Sequence, residues 1–327
     1  MSRATACERA RQSGLNRPPV LRYETSGMEI IPYGGWKRAA RLVCGDTELV
    51  VTLDIGPRII RYGVIGGPNE FSEIPEDMGA TGGTHYRFYG GHRLWIGPED
   101  EQRTLQPDND PVQHREENGA LVLRTAPDRY GMQKEVRIAA DAAAGRFVID
   151  HAIENHSAYA VEFAPWSLSV MAGGGECLFP QAPFVPHPDR VLPARPLVLW
   201  SYTDMAEPRW TWGKRVIRLR QVAGKGPQKV GALVTQGYAA HANHGNVFLK
   251  RFPFIEGATY PDMGCNFETF TNADMLEVES LGPLQRVSPG ARAEHREAWY
   301  LLKGVQPPVE DGACADWLEA AAKDRPL

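Results

Sequence analysis

Apolar and polar side chains take turns along most of this chain. The segments "ALVLRTAP" (120–127), "QKEVRIAAD" (133–141) and "RFVIDHAIEN" (146–155) alternate at period two, the spacing of strands with one buried side. "ELVVTLDIGPRIIRYGVI" (48–65) holds two apolar runs around Gly56-Pro57, and similar patterns recur at 214–222, 229–235, 246–252, 274–280 and 293–302. "YAVEFAPWSLSVM" (159–171) also alternates, but Pro165 lacks a ladder donor and predicts an edge strand or a bend. Gly, Pro and Asn pairs punctuate these runs, and no long helical period interrupts them. That excludes a βαβ architecture and predicts an all-β protein of antiparallel sheets. One helix is expected at 313–323, where Cys314, Leu318 and Ala321 share a side with Trp317 beside them. Residues 1–27 are polar and carry Arg3, Arg9, Arg11 and Arg17, which predicts a flexible arm ahead of a single domain at 28–327.

Composition narrows the function classes. The 33 glycines and 26 prolines suit many tight turns. A net charge of −4 gives no electrostatic case for nucleic acid or an anionic membrane. The five cysteines are scattered without a CxxC pair, which argues against a zinc knot or disulfide scaffold and for a reducing compartment. With no apolar leader and no 18-residue apolar run, a cytoplasmic location is expected.

Candidate chemistry concentrates in two stretches. "HYRFYGGHRLWIGPE" (85–99) packs His85, Tyr86, Arg87, His92, Arg93, Trp95 and Glu99 around two glycines. A sugar ring offers flat C–H faces and a rim of hydroxyls. An indole can lie against the first, and Arg, His and Glu can hold the second. The glycines would let backbone approach a ligand closely. In "MLEVES", Glu277 and Glu279 share one side, roughly 7 Å apart, opposite Leu276 and Val278. The strand at 293–302 carries His295, Glu297 and Trp299 on one side. Pairing of these two strands would gather carboxylates, imidazole and indole on one sheet surface. The Trp-rich region 200–212 is a candidate groove wall. "HANH" sets His241 and His244 at HxxH spacing in a presumed loop without a third ligand. No resident metal or cofactor is expected, although His85, His92 and a carboxylate would suit a metal if they converged.

Taken in order, four stretches resemble the galactose-mutarotase-like (aldose 1-epimerase-like) superfamily. They are "LVVTLDIGPRIIRYGV", "GGHRLW", "FVIDHAIENHSAYAVEFAPWSLSV" and "MLEVESLGPLQRVSPGARAEHREAWYL". The resemblance implies an antiparallel β-supersandwich that binds a small-molecule sugar or oligosaccharide on its concave side. It implies Glu277 as general base at the anomeric hydroxyl and Arg93 as a sugar ligand. Arg58, His85, Tyr86, Trp95, Glu99, Trp166, Glu268 and Glu279 are the further substrate-binding candidates. The family's mid-chain acid, a histidine, is replaced here by Trp166 or Pro165, neither of which can deliver a proton at neutral pH. His92, His295 or His85 would have to supply it from another strand. Otherwise the protein is a non-catalytic sugar binder or, further off, a lyase-like enzyme acting on a uronate.

Overall fold

The computed structural model describes residues 27–327, so the expected arm lies outside the described residues except for Gly27. The first strands are β1 (Glu29–Tyr33), β2 (Trp36–Cys44), β3 (Thr47–Thr52), β4 (Arg58–Val64), β5 (Gly91–Gly97), β6 (Gln113–Glu117) and β7 (Ala120–Arg124). Next come β8 (Met132–Asp141), β9 (Arg146–Asn155), β10 (Val161–Met171), β11 (Glu176–Pro180), β12 (Leu197–Leu199), β13 (Trp210–Trp212) and β14 (Val216–Arg220). The series closes with β15 (Gln228–Ala232), β16 (Tyr238–Asn243), β17 (Asn246–Arg251), β18 (Phe267–Thr271), β19 (Leu276–Leu281), β20 (Gln285–Val287) and β21 (Arg292–Lys303). One helix, α1 (Asp311–Lys323), follows them.

All strand pairs are antiparallel and form two sheets. One runs β1-β2-β3-β4-β5-β10-β19-β18-β15-β12, with β20 also on β10; the other runs β13-β14-β11-β16-β17-β21-β9-β8-β7-β6. Strands of both sheets turn apolar alternate positions toward one another. Ile59, Leu94, Met171, Val278 and Val230 from the first meet Ile149, Phe179, Phe248 and Trp299 from the second in one continuous core. α1 lies on the second sheet, where Cys314, Ala315, Leu318 and Ala322 pack on Leu178, Leu249 and Tyr300. Glu310 caps the helix, its carboxylate accepting from the Gly312 and Ala313 amides.

Two expectations fail in informative ways. β10 is neither an edge nor broken: it is paired on both sides, by β5 and by β19 with β20. Pro165 falls in the gap between the β19 and β20 pairings, so its missing N–H breaks no ladder bond, while its carbonyl accepts from Gly282. The strands bearing Glu277 and His295 do not pair either. β19 lies between β10 and β18 in the first sheet, and β21 lies between β17 and β9 in the second.

Candidate functional site

Strand register builds the site on the side of the first sheet that faces away from the second. Across neighbouring strands one row reads Trp95, Trp166, Leu281; the next reads Arg93, Leu168, Glu279, Glu268; a third reads Gly91, Val170, Glu277, Phe270, Lys229. Side chains alternate sides along a strand, so these residues share one surface. Arg93 Nη2 reaches diagonally across β10 to Glu277 Oε1 at 2.9 Å. Lys229 Nζ stands 2.7 Å from Glu268 Oε2 and 3.3 Å from Glu279 Oε2. It lies between the Trp166 and Trp200 rings, at 4.8 and 4.6 Å from their centroids. Trp166 donates its indole N–H to Glu279 at 2.9 Å and meets Trp95 edge-on at 5.2 Å.

The segment 86–88 covers this surface. The Tyr86 ring packs on Trp95 at 5.8 Å, and the Arg93 guanidinium lies 4.3 Å from the Phe88 centroid and 4.2 Å from Trp95. Arg58 enters from β4, donating to the Phe88 and Gly90 carbonyls, with Asp108 3.7 Å from its Nη2. The result is a buried cluster in which several polar atoms have no hydrogen-bond partner among the described residues: Arg58 Nε and Nη2, Arg93 Nε and Nη1, Trp95 Nε1, Tyr86 Oη, Glu268 Oε1 and Glu279 Oε1. Burial raises the Glu277 carboxyl to about 7, with the Glu279 charge adding to it and Arg93 only partly opposing it. Burial alone would lower Lys229, but Glu279 and Glu268 overturn that and raise it. Glu268 is raised well above its ordinary value, first by burial and then by Glu279.

Tertiary structure separates the expected acid–base partners. His92 neighbours Arg93 on β5 and therefore points the other way, into the core between the sheets. Its Nδ1 lies 2.9 Å from Ser169 Oγ and its Nε2 2.8 Å from His151 Nε2. His295 also faces inward, 2.6 Å from Ser280 Oγ. Neither is beside Glu277, which corrects the expectation that one of them stands opposite the base. Both belong to an inter-sheet network centred on Glu297, which accepts from Ser280, Ser167, Lys250 and Trp299. Burial depresses all three imidazoles, His92 far down and His295 to about 3. Burial by itself would raise Glu297, but Lys250 and the histidines lower it strongly.

Candidate ligand atoms of His92, His151 and Glu297 all lie within 4.8 Å of one another. The Glu297 oxygens are already engaged by four donors, one of them the Lys250 ammonium 2.9 Å away. That donor set suits a hydrogen-bonded network better than a divalent ion. His85 is exposed and does not converge with His92, so the metal pairing proposed for them is not formed. His241 lies on β16, not in a loop.

Lys229, at the head of the strand-like run 229–235, sits among the carboxylates. Of the Trp-rich region, Trp200 joins the cluster, whereas Trp210 and Trp212 stack on each other at 4.7 Å in the second sheet. Glu99 is exposed, and its charge acts on Tyr202 together with those of Glu279 and Glu277, at the rim of the cluster. Gly90 and Gly91 serve the chain, not a ligand. A Cβ there would stand 2.1 Å from the Ser72 carbonyl oxygen and 2.4 Å from that of Ile59. A cavity of about 700 Å³ lies elsewhere, between Phe184, Arg195, Lys214, Arg251 and Lys323.

No protein-family model and no curated protein matches the sequence. Solved structures do match the arrangement of strands. A candidate aldose 1-epimerase from Klebsiella pneumoniae aligns over 90% of this chain and 86% of its own, at TM-score 0.55 and 12% identity. One from Escherichia coli aligns over 84% and 99%, at TM-score 0.51 and 12% identity.

The chain has the galactose mutarotase-like fold.

A galactose mutarotase-like protein from Lactobacillus casei covers 80% of this chain and 99% of its own, at TM-score 0.50 and 10% identity. At such identities the mutarotase-like likeness concerns the fold, and function has to be argued from the site. Among the described residues no helix is long and apolar enough to cross a membrane.

Proposed function

We propose that the outer side of the first sheet, around Arg93 and Glu277, binds a sugar ring. One observation carries the reading. Unpartnered donors on Arg93, Trp95 and Tyr86 and an unpartnered acceptor on Glu279 converge beside two indole rings in a buried cluster. Buried polar atoms without partners are rare in proteins. A ligand with alternating hydroxyls would satisfy donors and acceptors together, while its C–H face lies on an indole. Access requires the Tyr86 and Phe88 rings to swing off Trp95 and Arg93; their segment, Gly82–Phe88, forms no strand and is held by Asn109 at the Gly83 and His85 carbonyls and by Asp77 at the Phe88 amide.

A second reading, epimerisation at the anomeric carbon, is favoured by Glu277. A carboxyl raised to about 7 takes and returns protons readily at neutral pH. It would accept the anomeric hydroxyl proton as the ring oxygen is protonated from solvent or a ligand hydroxyl, since both candidate imidazoles face the core. Exchange NMR of anomeric protons tests both readings. Line broadening without exchange supports binding alone, accelerated exchange that is lost in Glu277→Gln supports catalysis, and neither effect for any sugar refutes the site.

A further inference from the structure

We infer that the cavity of about 700 Å³ beside α1 is a second binding site, for a small phosphorylated molecule. It lies on the second sheet, away from the sugar cluster, and its size falls within the roughly 300–1,000 Å³ of small-molecule pockets. Five cations line it: Arg195 from the loop after β11, Lys214 and Arg215 ahead of β14, Arg251 at the end of β17 and Lys323 at the end of α1. Among the described residues Glu319 is the one carboxylate in the lining, and Arg215 takes both it and Asp316. Arg195, Lys214, Arg251 and Lys323 form no ion pair with a carboxylate among the described residues. Counting Asp311, Asp316, Asp324 and Arg325 of α1 and its C-terminal end as well leaves six cations against four carboxylates. In a chain of net charge −4 that is a local reversal of sign.

Two of the guanidiniums are held in place without being neutralised. Arg195 donates through Nε to the Ala182 carbonyl at 2.6 Å and through Nη2 to that of Lys214 at 3.0 Å. Arg251 donates through Nε to the Gly237 carbonyl at 3.1 Å and through Nη1 to that of Ala322. Arg195 Nη1 and Arg251 Nη2 have no hydrogen bond among the described residues. The last α1 carbonyls, which would repel an anion, are occupied: Ala322 also accepts from the Arg325 amide and Ala321 from the Arg325 side chain. Phe184, 55% exposed, sets a flat apolar wall 4.1 Å from Lys214 Nζ. A phosphate ester carries about two negative charges at neutral pH and three acceptor oxygens. It can therefore engage fixed guanidiniums and mobile ammoniums from several elements at once, where a monocarboxylate has charge for one.

The test is titration calorimetry of the full chain with phenyl phosphate, benzoate and phenol. Phenyl phosphate is expected to bind about 10-fold more tightly than benzoate, the scale of one further hydrogen bond to a charged group, and phenol not measurably. Lys214 and Lys323 are exposed, so the double variant Lys214→Gln, Lys323→Gln should fold normally and bind phenyl phosphate about 10-fold more weakly. Lys37→Gln removes an exposed charge from β2 of the first sheet and should leave the affinity unchanged. Glu277→Gln should also bind phenyl phosphate as the wild type does. A change in that variant would put the anion in the sugar cluster and overturn the second site. Equal affinity for phenyl phosphate and benzoate, an equal loss in Lys37→Gln, or no binding of phenyl phosphate overturns it too, and leaves the sugar reading standing.

Discussion

Arg93 and Glu277 are 184 residues apart in sequence and 2.9 Å apart in space. Their strands do not touch, because β10 lies between them. The guanidinium spans that strand over Leu168 and Val170, and only a side chain of arginine's length crosses two strand spacings of roughly 4.8 Å each. Lysine is long enough to approach but offers no fork, so the substitution Arg93→Lys should loosen Glu277 as well as any ligand.

Glu277→Gln keeps an oxygen that can accept from Arg93 and loses the base. If Glu277 moves the anomeric proton, exchange should slow by about 10²- to 10⁴-fold while affinity for the sugar changes far less. Exchange NMR and calorimetry on the same preparation check the two halves.

The pH profile follows from the raised carboxyl. Proton transfer by Glu277 needs the ionised form, so exchange should rise with pH and reach half its maximum near 7. Stability runs the opposite way. A carboxyl raised from 4.5 to about 7 contributes stability that is full below pH 4.5 and lost as pH climbs through 7. At one pH unit per 1.36 kcal/mol the loss is at most about 3 kcal/mol. Glu277→Gln should therefore lose less stability than the wild type between pH 5 and pH 8, measured by urea unfolding.

Glu297 should behave in reverse. Its carboxylate is held below the ordinary 4.5, so its stabilisation is present above that pH and fades as pH falls further. Lys250→Met leaves this fully buried carboxylate without its ion-pair partner and should cost about 3–5 kcal/mol. A change under about 1 kcal/mol in chemical denaturation would mean that the serine and tryptophan donors suffice without the ammonium.

Trp166→Phe retains a ring against Trp95 and deletes the N–H given to Glu279. Loss of a hydrogen bond to a buried carboxylate should destabilise by about 1–3 kcal/mol. The Lys229 ammonium, still 3.3 Å from Glu279, limits the effect to the lower half of that range.

Much of the fold was written in the sequence. Period-two alternation in segments such as 133–141 and 146–155 fixes which side chains face the core, because a strand exposes alternate residues to opposite sides whatever it pairs with. The same rule placed Glu277 and Glu279 together and opposite Val278. By the same rule the adjacent His92 and Arg93 point to opposite sides of β5 and cannot serve one surface. What only the tertiary structure decided is which strands meet. Antiparallel pairing over long sequence distances set β5 beside β10 and β19, bringing Arg93 to Glu277, and put β21 in the other sheet, taking His295 away. Lys229 and Lys250 show the limit most plainly. In sequence both are charged residues at strand positions that ordinarily face water. Their burial depends on carboxylates, Glu279 and Glu297, supplied by strands that no local pattern links to them.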